Sequence, residues 1–223
     1  MLPHTRIIRT RRKTIALIIE PDGSLLVRAP LRTSDASIFE LIAKKASWIA
    51  KKQKEVRSTR SAHPLHCFID GEKFLYLGET YPLKITNNSR PTLYLKDKFY
   101  LSSAGVLRAK SVFTTWYKKQ ARQVLEERVS FYANLYSLKP KSLRITSARR
   151  RWGSCGARGN LNFSWRLVMA PIPIIDYVVI HELVHLLEKN HSQAFWSKVN
   201  NLLPRYQESK RWLDKNGPFL TID

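Results

Sequence analysis

The chain has 223 residues, 43% of them hydrophobic and 25% charged. That balance can build a buried core and excludes a disordered tail or a collagen-like fibre, and no apolar run approaches the roughly 18 residues of a membrane helix. The net charge of +22, with a pI near 10.3, favours polyanions and repels basic surfaces.

The basic excess is uneven, at +9 for residues 1–60, +1 for 61–100, +9 for 101–150 and +3 for 151–223. The basic surface and the chemistry therefore read as separate modules. The N-terminus has the basic residues of a secretory leader, but the short apolar stretch after it runs into Glu20-Pro21-Asp22-Gly23, so no signal peptide is expected. Cys67 and Cys155 form neither a bridge framework nor a CxxC knuckle, which points to a reducing cytoplasm.

In chain order, Thr14 to Glu20 and Ser24 to Ala29 alternate around Asp22-Gly23 and predict a hairpin. From Ser34, apolar residues at Ile38, Leu41, Ile42, Trp48 and Ile49 predict a helix to about Glu55, with Lys44, Lys45, Lys51, Lys52 and Lys54 on its other face. Arg57 to Pro64 reads as a loop. Short strands follow at Cys67–Ile69, Lys73–Leu77, Tyr81–Thr86, Thr92–Lys96 and Phe99–Ser102, punctuated by Asp70-Gly71, Leu77-Gly78 and Asn87-Asn88. Residues 1–103 thus read as a β-rich unit with one helix, and 104–223 as a second domain.

Ser111 to Tyr136 predicts a long amphipathic helix. Leu143–Thr146 and Leu161–Val168 are expected to pair as a hairpin around the glycine-bearing stretch 149–160. Pro173 suits the first turn of the next helix, where Asp176 would meet the positive end of the dipole.

That helix contains His181-Glu182-Leu183-Val184-His185, an HExxH pattern. Residues four apart share a helix face, so two imidazoles can grip one metal ion while Glu182 lies beside it to accept and return a proton. A catalytic zinc site needs a third protein ligand. Glu188 lies too far along the axis from His181 to be a good third ligand and reads as a supporting or solvent-facing group. His191 requires the helix to stop at Lys189-Asn190 and Ser192 to cap a new one. Glu208, from a later helix, stays in contention beside it.

Together these residues resemble the YgjP-like metallopeptidase family, a relative of the SprT-like zincins. The matching stretches are Arg151-Trp152-Gly153-Ser154-Cys155, Ala170-Pro171, Asp176 to Val179, His181 to His185, Asn190-His191-Ser192 and Phe195-Trp196, with Val27 to Pro30, Pro204 to Tyr206 and Trp212-Leu213 beyond them. The resemblance implies zinc held by His181, His185 and His191, with Glu182 as general base. It also implies a zincin-like minimal core, an active-site helix beside a β-hairpin, which with the N-terminal β-rich unit makes the expected fold α+β. An edge strand within Leu161–Val168 would pair with an extended protein or peptide substrate.

Oxyanion stabilisation is assigned to Tyr206, with Arg205 and Arg151 as substitutes. Cys155 is a fourth ligand, a reactive thiol or, most simply, a small buried residue, and Trp152 is expected to anchor the hairpin. The lysine face, the arginines at 6–12 and Arg149 to Arg151 could contact nonspecific nucleic acid, whereas Trp48, Trp116, Tyr117 and Phe131 sit at core-like spacing. The rival class is a basic nucleic-acid-binding protein with a structural or vestigial zinc site; a metal-dependent hydrolase of a non-peptide amide is a third.

Overall fold

The computed structural model describes residues 5–20, 23–62, 66–87 and 90–222. The expected turn residues Asp22 and Asn88, and Pro64 at the end of the expected loop, lie outside them. The chain forms two compact units, residues 1–65 and 66–223, each with its own core.

In the first unit, β1 (Thr5–Thr10), β2 (Ala16–Ile19) and β3 (Leu25–Pro30) form one sheet in the order β1-β3-β2. The expected hairpin is the antiparallel β2–β3 pair, with Ile19 opposite Leu25. β1 adds a parallel strand from the basic segment 5–10. Central β3 buries Leu25, Val27 and Ala29 against Ile38, Ile42 and Ile49, whose spacing keeps them on one helical stripe. The helical segment is split at Lys45 into α1 (Asp35–Lys44) and α2 (Ala46–Ala62), and Ser34 caps α1 by accepting from the Ser37 N–H. α2 runs through the stretch expected as a loop, since no glycine or proline breaks it before Pro64. Trp48 departs from its core-like spacing and stands 40% exposed among the exposed Lys44, Lys45, Lys51 and Lys52.

The second unit opens with β4 (Lys73–Tyr76), β5 (Glu79–Thr86), β6 (Leu93–Leu95) and β7 (Phe99–Ser102), ordered β4-β5-β7-β6. Residues 67–69 are not a strand. Glu72 instead accepts from the Cys67 and Ile69 N–H groups, folding that segment into a turn with Phe68 at positive φ. The two compact units divide between Leu65 and His66, so residues 66–103 pack with the second unit. Phe74, Leu83, Phe99 and Leu101 of this sheet share one core with Phe113 and Tyr117 of α3 (Ala109–Leu135).

α3 is long because it buries every fourth residue from Ala109 to Ala133, giving a continuous apolar stripe. Phe131 lies off that stripe and is exposed, while Tyr117 is fully buried. Downstream, β8 (Ser142–Thr146), β9 (Gly153–Cys155) and β10 (Asn160–Ser164) form a sheet ordered β8-β10-β9. The expected 143–146/161–168 hairpin is corrected: β8 runs parallel to β10, and the hairpin partner of β10 is β9. Residues 165–169 leave the sheet as a tight helical turn whose side chains are all buried.

The remaining elements are α4 (Ile172–Val184), α5 (Gln193–Leu202) and α6 (Tyr206–Asn216). α4 buries Ile175, Val178, Val179, Ile180, Leu183 and Val184, each fully buried branched side chain worth about 1.5–3 kcal/mol. Asp176 lies past the first turn, so the expected dipole role gives way to a bidentate pair with Arg128 of α3 at 2.6 and 2.8 Å. This pair and the apolar face fix α4 between the long helix and the small sheet. The architecture is mixed α+β, and no described helix is long and apolar enough to cross a membrane.

Candidate metal centre

α4 ends at Val184, earlier than the Lys189-Asn190 stop expected, and His185 is its cap residue with helical dihedrals. His181 and His185 therefore keep the one-turn spacing of a helix face. The chain then turns, and Ser192 caps α5 by accepting from the Phe195 N–H. This turn folds His191 back over α4. His191 Nε2 lies 3.0 Å from His181 Nε2 and 3.2 Å from His185 Nε2.

Among the described residues these three histidines are the group whose ligand atoms could hold a metal ion. His185 Nδ1 donates to the Glu188 carbonyl at 2.9 Å, which leaves a bare lone pair on His185 Nε2. Phe195, fully buried, packs against all three rings at centroid distances of 4.5 to 4.9 Å and limits their rotation. Burial first, then the neighbouring histidines and Lys210, push His181 down to about 3, and burial likewise lowers His191. Neutral imidazoles are the ligating form.

Glu182 projects beside this triangle and is buried, with Oε2 lacking a hydrogen-bond partner. Burial pushes its carboxyl up to about 7, opposed by the Arg151 guanidinium and by the Cys155 N–H, which donates to it. The carboxylate lies against β9 at Gly153, where a Cβ would stand 2.5 Å from both Glu182 Cγ and Oε1. Only glycine leaves room for it. A cleft of about 260 Å³ opens here, lined by Trp152, Gly153, Tyr177, His181, Glu182, Lys210 and Asp214 among others.

The other expected residues fall as follows. Glu188 supports the centre through its carbonyl, while its side chain pairs with Lys198 at 3.0 Å. Glu208 pairs with Arg205 in the first turn of α6 and is not part of the histidine cluster. Tyr206 stacks on Trp196 at 5.3 Å and Tyr177 at 6.3 Å, and these two rings stand 5.8 and 5.9 Å from His181. Cys155 is half-buried, outside the histidine cluster, and its thiol is pushed up by burial, which disfavours the reactive thiolate. Trp152 packs over Gly217 and lines the cleft.

Sequence reasoning did not single out Tyr177, Lys210 and Asp214. Their signal was present: Lys210 and Asp214 lie one and two turns after Tyr206, and Tyr177 one turn before His181, on the faces that carry the site.

A model of the YgjP-like metallopeptidase domain matches residues 13–216. The chain belongs to the YgjP-like family. Membership implies a metal ion, and the three converging histidines are donors that could hold it. This YgjP-like chain is 29% identical over 75 residues to the UTP pyrophosphatase of Escherichia coli strain K12, covering 32% of this chain and 45% of that protein. It thus matches under half the length of that curated relative. The crystal structure of the metallopeptidase zymogen of Pyrococcus abyssi abylysin is 21% identical with a TM-score of 0.37, covering 41% of the YgjP-like chain and 93% of its own.

Proposed function

We propose that the chain is a zinc-dependent peptidase with a zincin-like site, in which His181, His185 and His191 hold the metal and Glu182 is the general base. One observation carries this reading: three imidazole Nε2 atoms converge beside a buried carboxylate with a free oxygen. Tetrahedral zinc with nitrogen ligands at 2.0–2.1 Å needs about 3.4 Å between ligand atoms, close to the 3.0 and 3.2 Å separations here. Three protein ligands leave the open position of a catalytic site. When bound, zinc supplies a Lewis acid and lowers the pKa of water to roughly 7.

The chain's own residues do the rest. Glu182, with a pKa near neutrality, takes a proton at Oε2 and returns it to the leaving amine. Central β10 is hydrogen-bonded on both edges, so substrate pairing moves from Leu161–Val168 to β9, the edge strand that touches Glu182. An extended peptide added there would lie across the carboxylate. Tyr206 is retained as the oxyanion donor, one aromatic layer from His181. We assign the chemistry to residues 66–223 and a reducing, cytoplasmic setting that suits the two free cysteines.

Two observations favour further readings. The Escherichia coli relative is named a UTP pyrophosphatase, so a phosphate anhydride is the second substrate class for the same centre. The exposed Trp48 among lysines 44–52 offers a stacking platform for nucleic acid, which would bring nucleic-acid-associated proteins to the enzyme.

The test measures zinc content and turnover of casein and of UTP, for wild type and Glu182→Gln, with and without single-stranded DNA. About one zinc in both proteins with casein cleavage only in wild type supports the peptidase. UTP turnover alone moves the substrate to the anhydride. Zinc without turnover of either, with salt-sensitive DNA binding that survives Glu182→Gln, supports the binding protein, and absence of zinc refutes the site.

A further inference from the structure

Two clefts meet at Trp152 and Gly153. The first holds His181, Glu182, Lys210 and Asp214; the second, of about 150 Å³, is lined by Thr146, Arg151, Ser154, Asn162 and Ser164. Each contains one exposed cation, Lys210 in the first and Arg151 in the second. Lys210 Nζ stands over the Trp196 ring at 5.0 Å, a contact that anchors the ammonium beside the ring flanking His181 and His191.

Ion pairing absorbs other cations near the centre: Arg128 takes Asp176, Lys198 takes Glu188 and Arg205 takes Glu208. No such pair within 4 Å joins Lys210 to Asp214, although the two lie one turn apart on α6 and line the same cleft. Arg151 acts on Glu182 through space, as a nearby positive charge that favours the carboxylate, and its guanidinium presents a planar fork of donors to the second cleft. In the second cleft, Asn162 Nδ2 donates to Ser154 Oγ at 3.3 Å, placing polar groups in a wall that Trp152 and Ala148 also line.

A substrate lying across Gly153 places one group in each cleft. We propose that Lys210 and Arg151 are specificity-determining residues that hold oxyanions of the substrate flanking the bond to be cleaved. The shared chemistry is an oxyanion, met either by carboxylates of an acidic peptide or by phosphates of a nucleotide. The inference rests on the hydrolytic reading of the centre and adds the class of substrate that it accepts.

The experiment uses zinc-loaded full-length protein carrying Glu182→Gln, so that ligands bind without turnover. Binding is followed by tryptophan fluorescence for three probes: a blocked hexapeptide with glutamates, its glutamine counterpart, and a non-hydrolysable methylene analogue of UTP. The expected result is tighter binding of one anionic probe than of the neutral peptide, with that preference cut about tenfold by Lys210→Met or Arg151→Met and largely kept by Lys210→Arg. Lys139→Met, outside both clefts, controls for total charge. Preference for the glutamate peptide assigns an acidic peptide, and preference for the analogue assigns a phosphate source. Equal binding of all probes, or a preference unchanged in both methionine variants, overturns the proposal. Zinc content and wild-type turnover are read separately, so a failed hydrolytic reading is distinguishable from a failed oxyanion site.

Discussion

Gly153→Ala tests the packing that sets Glu182, the proposed base. The added Cβ would lie 2.5 Å from Glu182 Cγ and Oε1 and 2.8 Å from Cδ. Ordinary contact begins near 3.5 Å, so about 1 Å of movement is required. Neither side yields easily. Glu182 is 5% exposed on a helix whose neighbours Ile180 and Leu183 are fully buried, and Gly153 is held opposite Phe163 in the sheet. Overpacking of this kind costs about 1–3 kcal/mol, which for a chain of this size lowers Tm by about 3–10 °C. If Glu182 is the base, displacing it by about 1 Å should cost on the order of 100-fold in kcat/KM. Zinc content should stay unchanged, because the Cβ contacts Glu182 and none of the three histidines. Thermal melts, zinc analysis and turnover on the best substrate measure all three. A variant with kcat/KM within about twofold of wild type and an unshifted Tm would refute the placement of Glu182 against β9.

Other substitutions probe the rest of the centre. His191→Ala removes one of three converging nitrogens and should weaken zinc binding by at least tenfold in a chelator competition; unaltered affinity would return Glu208 to contention. Asp176→Ala leaves Arg128 partly buried without its bidentate partner and should cost about 2–4 kcal/mol in denaturant unfolding, and a loss below about 0.5 kcal/mol would show the pair to be dispensable. Tyr206→Phe keeps both ring stacks and deletes only the hydroxyl, so a kcat loss of about 100-fold at constant KM supports the oxyanion role. Unchanged kcat would reduce Tyr206 to packing. Phe195→Ala removes the common support of the three rings and should lower both stability, by about 3–5 kcal/mol, and zinc affinity; calorimetry with metal titration reads both, and intact affinity would show that the rings hold themselves.

Much of this was legible locally. The four-residue spacing of His181 and His185 and the cap at Ser192 are properties of short windows and are found as read, whereas α4 stops at Val184, five residues before the expected Lys189-Asn190 stop. The β2–β3 hairpin and strands β5 and β7 follow equally from alternation and turn residues. The misread elements share a cause. β10 recruits β8 in parallel from across 13 intervening residues, and β1 joins β3 the same way, pairings that no local pattern encodes. Strands β4–β7 and α3 look separable in sequence, yet their aromatic side chains fill one core, a relation that no local pattern encodes.

The sequence by itself determined the pair His181 and His185 with Glu182 beside it, because helical periodicity fixes which residues share a face, and its motifs pointed to the family that the domain match shows. Only the tertiary structure decided that Gly153 abuts Glu182, that β9 rather than β10 is the exposed edge, and that Lys210 and Arg151 flank the centre from separate elements. Glu182 lies 29 positions from Gly153, 31 from Arg151 and 28 from Lys210, and only close packing of α4, α6 and the small sheet brings them together.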